Sequence, residues 1–416
     1  MNILFINLHY YRRDSDSATT NKDIEPDFLP INSLTIMQLA ALTPKHHSIF
    51  ALDNPTTIDY SLDVNIVAIT ATTPSIIDAY QIADNFRKRN VIVVIGGWHA
   101  SALPTEAKLH ADSVFIGEAE DTWPRFLKDF ENGRFEPFYK QNNLVSAESI
   151  TTPRRDVFEQ LAPIAPLQAI WGCPNNCEFC CISNIGFGNK PRFRPIESII
   201  EEIRSIPQKY LFFCDPSLTI NPDYTKNLFR KLKEFDKTLL MCNGNADVLA
   251  KDDELLKLSS EAGCLEWLIG FESISQETID SIGKKTNIVK EYSTAVKKIH
   301  DNNMEVIGEF VFGFDKDKPD IFEKTYESIK SMEIDLPAPG ILTPYPGTPL
   351  YNRFEKEGRI LTKDWSRYTE RNVVFQPKNM TKEELLEGTK DIKERIFRLS
   401  FRTYKKRRID KFSNNF

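Results

Sequence analysis

Short apolar runs alternate with amphipathic stretches through the first third of the chain. Five runs rich in Val and Ile have the length and composition of strands buried on both faces: NILFIN (2–7), SIFALD (48–53), NIVAIT (65–70), VIVVIG (91–96) and SVFIG (113–117). Between two of these runs, Ser75–Arg89 places apolar residues at helical spacing. This alternation predicts a doubly wound parallel sheet over residues 1–132.

The pattern is lost over residues 133–165 and then returns with longer units. The intervening segment contains Asn, Pro and Ser punctuation and the turn-like TTPRRD (151–156), which predicts an interdomain linker. Six further apolar runs follow: LQAIW (167–171), YLFFCD (210–215), TLLMCNGN (238–245), EWLIGFE (266–272), EVIGEFVFGF (305–314) and PAPGILTPY (337–345).

Helical patterns separate these six runs, and three are clear: Ile196–Ser205, Asp252–Ala262 and Lys290–Asn302. Six strand–helix units predict a partial (β/α)6 TIM-type barrel over residues 166–346, open on one side. Catalytic groups of such barrels lie at the carboxyl ends of the strands. Residues 347–416 are mixed at first and predicted to be mostly helical from Lys382.

Composition and charge narrow the class of protein. The 416 residues are 41% hydrophobic and 27% charged with a net charge of −6, so a packed core is expected and no broad basic field exists for nucleic acid. The one basic run, Lys405–Arg408, is interpreted as a solvated helix end. No apolar stretch approaches the length of a membrane span, and the N-terminus lacks the features of a signal peptide. A cytoplasmic location is therefore expected.

Three of the seven cysteines form a compact motif after the first predicted barrel strand. Cys173, Cys177 and Cys180 have the spacing Cys-x3-Cys-x2-Cys in WGCPNNCEFCC. Three thiolates can hold three irons of a cubane cluster and leave the fourth iron open. Zinc is the alternative, but it usually takes four protein ligands. Neither the adjacent Cys181 nor the distant His300 is a suitable fourth ligand, so the motif favours iron and sulfide.

Polar residues interrupt the predicted barrel strands where those strands end. Asp215 ends the second strand, Asn243 and Asn245 end the third, and Glu272 ends the fourth. Carboxylates and amides in these positions suit a ligand that carries an ammonium group and hydroxyls. Each residue could alone serve as a helix cap or turn residue instead.

This combination resembles the radical S-adenosylmethionine superfamily. The resemblance rests on the cysteine spacing, on Phe179 before the third cysteine, on GFESIS (270–275) and on VIGEFVFGFD (306–315), which is similar to an adenine-contacting segment. It implies a [4Fe–4S] cluster held by the three cysteines, with S-adenosylmethionine on the open iron. The residues implied in binding S-adenosylmethionine are Phe179, Asp215, Asn243, Asn245, Glu272 and Gly308. Ile170-Trp171 departs from the Thr-Arg common in relatives.

The N-terminal region resembles the flavodoxin-like cobalamin-binding domains fused to such barrels. The matching pieces are Gly96-Gly97, His99-Ala100, Leu103-Pro104, Ala111-Asp112 and Gly117–Glu120. The candidate cobalamin-binding residues are Thr70, Thr72, Thr73, Gly96, Gly97, Gly117 and Glu118. The usual Asp-x-His-x-x-Gly motif is absent, and His9 lacks its Asp and Gly neighbours, so no histidine is expected on cobalt.

The resemblance is strongest to the subgroup with hopanoid and chlorophyll-pigment methylases. It implies methylation of an unactivated carbon of a small-molecule, lipid or pigment substrate through a 5′-deoxyadenosyl radical, with flavodoxin or ferredoxin as electron donor. The rigid TPYPGTPLY loop (343–351) could close over the barrel mouth. Two alternatives remain: another radical reaction with a vestigial cobalamin domain, and a corrinoid carrier, which would have no use for the cysteine motif.

Overall fold

Six parallel strands form one sheet in the N-terminal part of the chain. The computed structural model describes residues 1–9 and 30–412, with side chains described as far as residue 398. The strands are β1 (Asn2–Leu8), β2 (Ser48–Asp53), β3 (Ile66–Ala71), β4 (Ile92–Gly96), β5 (Ser113–Ile116) and β6 (Phe138–Lys140). Their order is β2-β1-β3-β4-β5-β6, so the direction of strand addition reverses between β1 and β3. Ligands of such sheets bind at the carboxyl ends beside that reversal.

Helices cover both faces of this sheet, as the alternation of apolar runs predicts. They are α1 (Leu34–Leu42), α2 (Ile76–Arg87), α3 (Trp98–Ala102), α4 (Pro104–Ala107) and α5 (Ala119–Glu131). Successive side chains of β1 enter opposite cores: Leu4 and Ile6 pack on the α2 side, and Ile3 and Phe5 pack on the α1 and α5 side. The doubly wound parallel sheet is confirmed.

The sixth strand lies inside the segment that the sequence predicts to be a linker. Phe138–Lys140 pairs in parallel with β5, Val114 opposite Phe138 and Ile116 opposite Lys140. A three-residue strand at a sheet edge is too short to leave a periodic signal, which explains why the pattern did not reveal it. The sheet therefore extends beyond residue 132.

The second half of the chain forms the barrel. Its strands and the hairpin inserted among them are β7 (Ile164–Leu167), β8 (Ile170–Trp171), β9 (Arg192–Phe193), β10 (Tyr210–Phe213), β11 (Thr238–Leu239), β12 (Cys242–Asn243), β13 (Glu266–Glu272), β14 (Glu305–Phe312) and β15 (Leu336–Ile341). The order is β7-β10-β11 in one sheet and β12-β13-β14-β15 in the next. Since β11 and β12 are consecutive pieces of one strand, the wall is six parallel strands, as the partial barrel requires.

Helices surround this wall and form the C-terminal region. They are α6 (Cys181–Asn184), α7 (Ile196–Ser205), α8 (Pro222–Leu232), α9 (Ala246–Leu249), α10 (Asp253–Glu261), α11 (Gln276–Ser281), α12 (Tyr292–Asp301), α13 (Ile321–Met332), α14 (Pro349–Lys356) and α15 (Lys382–Phe412). The predicted helical tail from Lys382 is confirmed, and α15 packs against α13 and β15. The basic run Lys405–Arg408 lies outside the residues whose side chains are described. Across residues 1–9 and 30–412, no helix combines the length and apolar character needed to cross a membrane.

The first barrel strand differs from the predicted LQAIW. β7 ends at Leu167, and Ile170 and Trp171 instead pair antiparallel with β9. The cause is Asp215, whose carboxylate accepts the amides of Ala169 and Ile170, so these groups are not available to the barrel ladder. The last two strands are also shorter than predicted, because β14 ends at Phe312 and β15 at Ile341.

Polar contacts join the sheet domain to the rest of the chain. Arg192 on β9 pairs with Glu118 at the carboxyl edge of the N-terminal sheet. The indole Nε1 of Trp365 donates to Glu106 Oε1 at 2.9 Å. These contacts hold the sheet domain against β9 and against the C-terminal region.

Candidate active site

The three cysteines lie on a loop that is hydrogen-bonded to itself and to its surroundings. The Cys173 amide donates to Gly188 O at 2.8 Å, and the Cys180 amide donates to Cys177 O at 3.2 Å. The side-chain amide of Asn184 donates to the carbonyls of Cys177 and Cys180 at 2.9 and 2.7 Å. These four bonds fix the backbone of the loop, and none of them uses a thiol. The thiols therefore remain available to bind a ligand.

The thiols are close enough to influence one another electrostatically. Burial raises the pKa of Cys177 to about 12, and the neighbouring Cys180 and Cys173 add to the rise. Burial and Cys180 likewise raise the pKa of Cys173. Such a site disfavours three free thiolates and suits three thiolates neutralised by metal, because bound metal displaces the protons. The loop therefore fits an iron–sulfur cluster.

Cys181 takes another direction. Burial raises its pKa to about 12, and the other charge that acts on it besides Cys180 is Glu370. Tyr345, whose hydroxyl donates to Glu370 Oε1 at 3.2 Å, is also near Cys181. Cys181 is thus near Cys180 and near the C-terminal segment, and neither Cys173 nor Cys177 is among the groups that act on it.

The first of two cavities lies at the carboxyl edge of the N-terminal sheet. We call it the sheet-edge cavity; its volume is about 580 Å³. On the sheet side it is lined by the predicted residues Thr70, Gly97, Gly117 and Glu118, and on the barrel side by Trp171, Gly172 and Ile185–Gly188. Residues on both sides of the cysteine motif therefore form its far wall.

Three predicted cobalamin-binding residues do not line this cavity. Gly96 faces the Cβ of Phe115, 3.5 Å from the position of an added Cβ. The Thr73 hydroxyl lies 3.3 Å from His99 Nδ1, and both are buried. Thr72 precedes Thr73 at the turn into α2 and its hydroxyl is also buried. These residues shape the loop after β3.

At Gly97 and Gly117, two glycines that follow strand ends, the backbone lines the sheet-edge cavity. Gly97 has φ +101°, and an added Cβ would lie 2.9 Å from both Ala71 O and Thr70 Oγ1. Gly117 has φ +93°, and an added Cβ would lie 2.6 Å from Gln141 Oε1. A side chain at either position would strain the backbone and displace its neighbours, so glycine is required here.

His9 at the end of β1 also lines the sheet-edge cavity. Its ring nitrogen contacts the Asn7 side chain, and burial lowers its pKa. Glu118, by contrast, is already used by Arg192 and by Gln141 Nε2, which donates to it at 2.9 Å. The absence of a histidine on cobalt remains a prediction, and His9 is the residue on which to test it.

The second cavity lies at the carboxyl ends of the last barrel strands. This barrel cavity has a volume of about 360 Å³. It is lined by Phe179, Glu272, Glu309–Val311, Ala338–Thr343, Tyr345, Thr369–Arg371 and Lys393. Thr343 and Tyr345 of the TPYPGTPLY loop belong to this lining, and closure of the loop over the barrel mouth stays a prediction. The segment around the cysteines lines both cavities: Gly172 and Ile182 line the sheet-edge cavity, and Phe179 lines the barrel cavity.

Glu272 is held in a strained conformation on the wall of the barrel cavity. Its φ is +59°, and the register of β13 against β14 shifts between Gly270 and Glu272. Left-handed backbone at a non-glycine residue costs free energy and is concentrated at functional sites. Glu272 lines the barrel cavity, and its carboxylate pairs with Lys284.

Lys284 is a site residue that the sequence pattern did not reveal. Its Nζ donates to Gly270 O at 2.7 Å and pairs with Glu272, and its side chain is 13% exposed. Burial alone would lower the pKa of Lys284, but the Glu272 carboxylate outweighs this and the pKa is raised. The preceding residues contact the cysteine loop, because the Glu178 amide donates to Ile282 O at 3.2 Å. Lys284 follows no predicted strand, so only the fold brings it to the cysteines.

The predicted adenine-contacting segment presents a different residue to the cavity. An added Cβ at Gly308 would lie 3.1 Å from Phe271 and Ile334, so Gly308 faces the helix layer. Because side chains alternate along a strand, the next residue, Glu309, faces the cavity. The Glu309 carboxyl is open to the cavity but lies deep in the barrel. Burial raises its pKa to about 7, and the nearby carboxylates of Glu272 and Glu370 add to the rise.

Three predicted S-adenosylmethionine-binding residues lie close together, but their hydrogen bonds involve backbone groups of the protein: Asp215, Asn243 and Asn245. Asp215 holds the Ala169 and Ile170 amides and is buried; burial raises its pKa to about 7. Asn243 donates to Asp215 O at 2.8 Å, and the Asn245 amide donates to Thr219 Oγ1 at 2.8 Å. These contacts position the segment that enters the cysteine loop. The carboxylate oxygen Asp215 Oδ2 and the amide oxygen Asn243 Oδ1 have no hydrogen-bond partner among the described residues.

Comparison with known families covers both halves of the chain. Residues 170–329 match the radical SAM superfamily, and residues 53–127 match the B12 binding domain. The first range contains the cysteine loop and most of the barrel strands, and the second contains the loops at the sheet-edge cavity.

Several proteins of known activity or structure match this chain over most of its length. The bacteriochlorophyllide d C-12(1)-methyltransferase of Chlorobaculum tepidum is 31% identical over 88% of this chain and 82% of its own. The anaerobic magnesium-protoporphyrin IX monomethyl ester cyclase of Cereibacter sphaeroides is 25% identical over 81% of this chain and 60% of its own. Among solved structures, the radical S-adenosylmethionine methyltransferase TsrM of Kitasatospora setae has a TM-score of 0.70 at 15% identity, covering 86% of this chain and 76% of its own. That likeness shows a common fold.

Proposed function

Since the chain belongs to the family of radical S-adenosylmethionine enzymes that carry a cobalamin-binding domain, we propose that it methylates an unactivated carbon of a small organic molecule. It is an enzyme whose cofactors are a [4Fe–4S] cluster, S-adenosylmethionine and cobalamin. The observation that carries the proposal is that the segment around the cysteines lines both cavities, with Gly172 in the sheet-edge cavity and Phe179 in the barrel cavity. A methyl donor and a radical generator would thereby act on one substrate from adjacent sites.

Cys173, Cys177 and Cys180 would hold the cluster in this proposal. Together the cofactors supply an organic radical and a transferable methyl group, which protein side chains cannot provide. The protein residues position these groups: Arg353 on α14 pairs with Glu178 at 2.8 Å, and the Leu350 amide donates to Glu178 O at 2.9 Å. The cysteine loop is thus anchored from the C-terminal region as well as from the barrel.

Replacement of Cys181 by Ser should leave the cluster intact. Besides its neighbour Cys180, the charge that acts on Cys181 is Glu370, whereas Cys173, Cys177 and Cys180 act on one another. Anaerobic reconstitution of this variant should give about four irons per chain and the cluster's visible absorbance, as for the wild type. Loss of the iron in Cys181→Ser alone would contradict the ligand assignment.

The Glu272–Lys284 pair would receive the amino-acid end of S-adenosylmethionine. That end carries one ammonium and one carboxylate, and the pair offers one charge of each sign: Glu272 lines the barrel cavity, and Lys284 is paired with its carboxylate. Charge-assisted hydrogen bonds to both groups would fix the orientation of the cofactor relative to the cysteine loop. Glu309 and Phe179 would line the space for the rest of the molecule.

Removal of the Lys284 charge should weaken binding of S-adenosylmethionine. Lys284→Met keeps the length of the side chain and leaves Glu272 without its partner. A hydrogen bond to a charged group contributes about 1.5–3 kcal/mol, so the Kd should rise about 10- to 100-fold. The measurement is equilibrium binding to anaerobically reconstituted protein.

Two comparisons make this result specific. Lys284→Arg retains the charge and should bind more tightly than Lys284→Met, and Lys285→Met removes a neighbouring exposed charge and should bind like the wild type. Iron content should be unchanged in all three. An unchanged Kd in Lys284→Met at full iron content would exclude the assigned role.

The sheet-edge cavity would hold the cobalamin. Its glycine-lined wall permits close approach of a large cofactor to the sheet backbone at Gly97 and Gly117. Trp98, which the sequence analysis did not select, is 43% exposed on the same wall. A large aromatic surface left open in a cavity suits contact with a planar macrocycle.

The substrate, the electron donor and the location are further parts of the proposal. We propose a chlorophyll-type pigment as the first substrate to test, because a similar relative acts on bacteriochlorophyllide d. A lipid is the second, since a hopanoid C-2 methylase of Rhodopseudomonas palustris is 25% identical over 68% of this chain. Flavodoxin or ferredoxin would supply electrons, in the cytoplasm.

Methyl transfer can be separated from cyclisation in one assay. The reduced holoenzyme is incubated anaerobically with S-adenosylmethionine deuterated in its methyl group and with each candidate substrate. The proposal requires a product that contains the deuterated methyl group. An oxidised or cyclised product without the label, as the cyclase relative would make, would replace methylation by the alternative radical reaction.

A further inference from the structure

Two histidines and a glutamate converge at the end of the N-terminal sheet opposite to the sheet-edge cavity. His46 and His47 form the end of the turn between α1 and β2, directly before β2 begins at Ser48. Glu131 is the last residue of α5. Because all strands of this sheet are parallel, their amino ends lie on the edge away from the cofactor residues. The cluster is therefore separate from the active site.

The three potential ligand atoms lie close together. His46 Nε2 and His47 Nε2 are each 3.1 Å from the same carboxylate oxygen, Glu131 Oε1. All three atoms lie within 4.8 Å of one another. Bonds of about 2.0–2.1 Å in a tetrahedral zinc site place neighbouring ligand atoms about 3.3 Å apart. The two histidine–glutamate separations thus match the edges of a tetrahedral site.

The His47 ring is buried and aimed at the carboxylate without a hydrogen bond to it. Its side chain is 2% exposed, and Nε2 has no hydrogen-bond partner among the described residues despite its short distance to Glu131. Its other nitrogen, Nδ1, lies 3.4 Å from the Met1 nitrogen, which fixes the orientation of the ring.

We propose that His46, His47 and Glu131 form a site for a divalent transition-metal cation, with zinc as the expected ion and water as its fourth ligand. Imidazole nitrogens and a carboxylate oxygen are ligands that zinc takes in three-residue sites. A bound ion gives the buried His47 nitrogen its missing partner. It also cross-links the α1–β2 turn to the end of α5, so its role is to stabilise the cobalamin-binding domain.

Zinc binding is tested on the complete, anaerobically reconstituted enzyme. After dialysis against a chelator, the protein is equilibrated with zinc chloride and analysed for bound zinc and for its thermal unfolding midpoint. We expect one zinc per chain in addition to the iron, and a midpoint that rises with zinc concentration. The double variant His46→Ala/Glu131→Gln should bind zinc about 100-fold more weakly or worse, since loss of an outer-shell partner alone costs 10- to 100-fold.

Matched controls separate this site from other zinc ligands. Both changed residues are exposed, so the double variant should fold, and its iron content and unfolding midpoint without zinc report on this. Glu136→Gln removes another exposed carboxylate of the same domain and should leave zinc binding unchanged. Zinc retained by the double variant but lost when Cys181 is replaced would place the ion at the free cysteine and overturn the proposal. Absence of zinc from the wild type would also overturn it.

Discussion

Replacement of Cys173, Cys177 and Cys180 together by alanine should abolish the cluster and all cleavage of S-adenosylmethionine. The three thiols have the spacing of the ligand motif, Cys173 and Cys177 each lie near Cys180, and the backbone around them is held by bonds that do not involve sulfur. Iron should fall from about four per chain to none, and the visible absorbance should disappear. Iron analysis and production of 5′-deoxyadenosine under reduction measure the two effects.

The folded state should survive this triple replacement. The loop retains the Cys173–Gly188 backbone bond, the Asn184 bonds and the Arg353–Glu178 pair, none of which needs a thiol. Cobalamin uptake by the N-terminal domain is therefore the internal control, and it should be close to that of the wild type. Cluster absorbance retained in the triple variant would refute the assignment of the ligands.

Replacement of Gly97 by Trp should block cobalamin binding. An added Cβ at Gly97 would already lie 2.9 Å from Ala71 O, and a larger side chain would enter the sheet-edge cavity. Overpacking a protein interior costs about 1–3 kcal/mol, and a comparable cost in the cavity once cobalamin fills it would raise the Kd about 5- to 150-fold. Uptake of cobalamin is measured by absorbance after removal of free cofactor.

Three variants test whether the effect arises in the cavity. Gly133→Trp shares the positive φ, +72°, but has no atom near its Cβ, so it should bind cobalamin normally. Thr35→Trp fills the same cavity from α1 without backbone strain and should weaken binding as Gly97→Trp does. His9→Ala should bind normally if no histidine ligates cobalt. Normal uptake by both Gly97→Trp and Thr35→Trp would show that cobalamin does not bind in this cavity.

The sequence predicted those parts of the candidate site that lie within one loop or directly after one strand. The cysteine spacing lies within one loop, and the glycines at Gly97 and Gly117 follow directly from strand ends, so pattern and position suffice. Glu272 was found in the same way, at the end of an apolar run. These residues do line the two cavities or form the cysteine loop.

Residues whose roles depend on contacts distant in sequence could not be predicted. Lys284 pairs with Glu272, which lies at the register shift in β13 and lines the barrel cavity. Asp215 faces two backbone amides more than forty residues earlier in the chain, which shortens the first barrel strand. Gly308 and Glu309 are neighbours that lie on opposite faces of β14. A difference of one residue in register therefore decides which of them faces the barrel cavity.

The central claim is that this chain transfers a methyl group by cobalamin-dependent radical chemistry. The most direct test quantifies S-adenosylhomocysteine and 5′-deoxyadenosine together in one anaerobic reaction of the reduced holoenzyme with substrate. We expect both products in equal amounts, both dependent on bound cobalamin and on substrate, because each transfer uses one S-adenosylmethionine as methyl source and one as radical source. Formation of 5′-deoxyadenosine with substrate but without S-adenosylhomocysteine, and unaffected by cobalamin, would contradict the account.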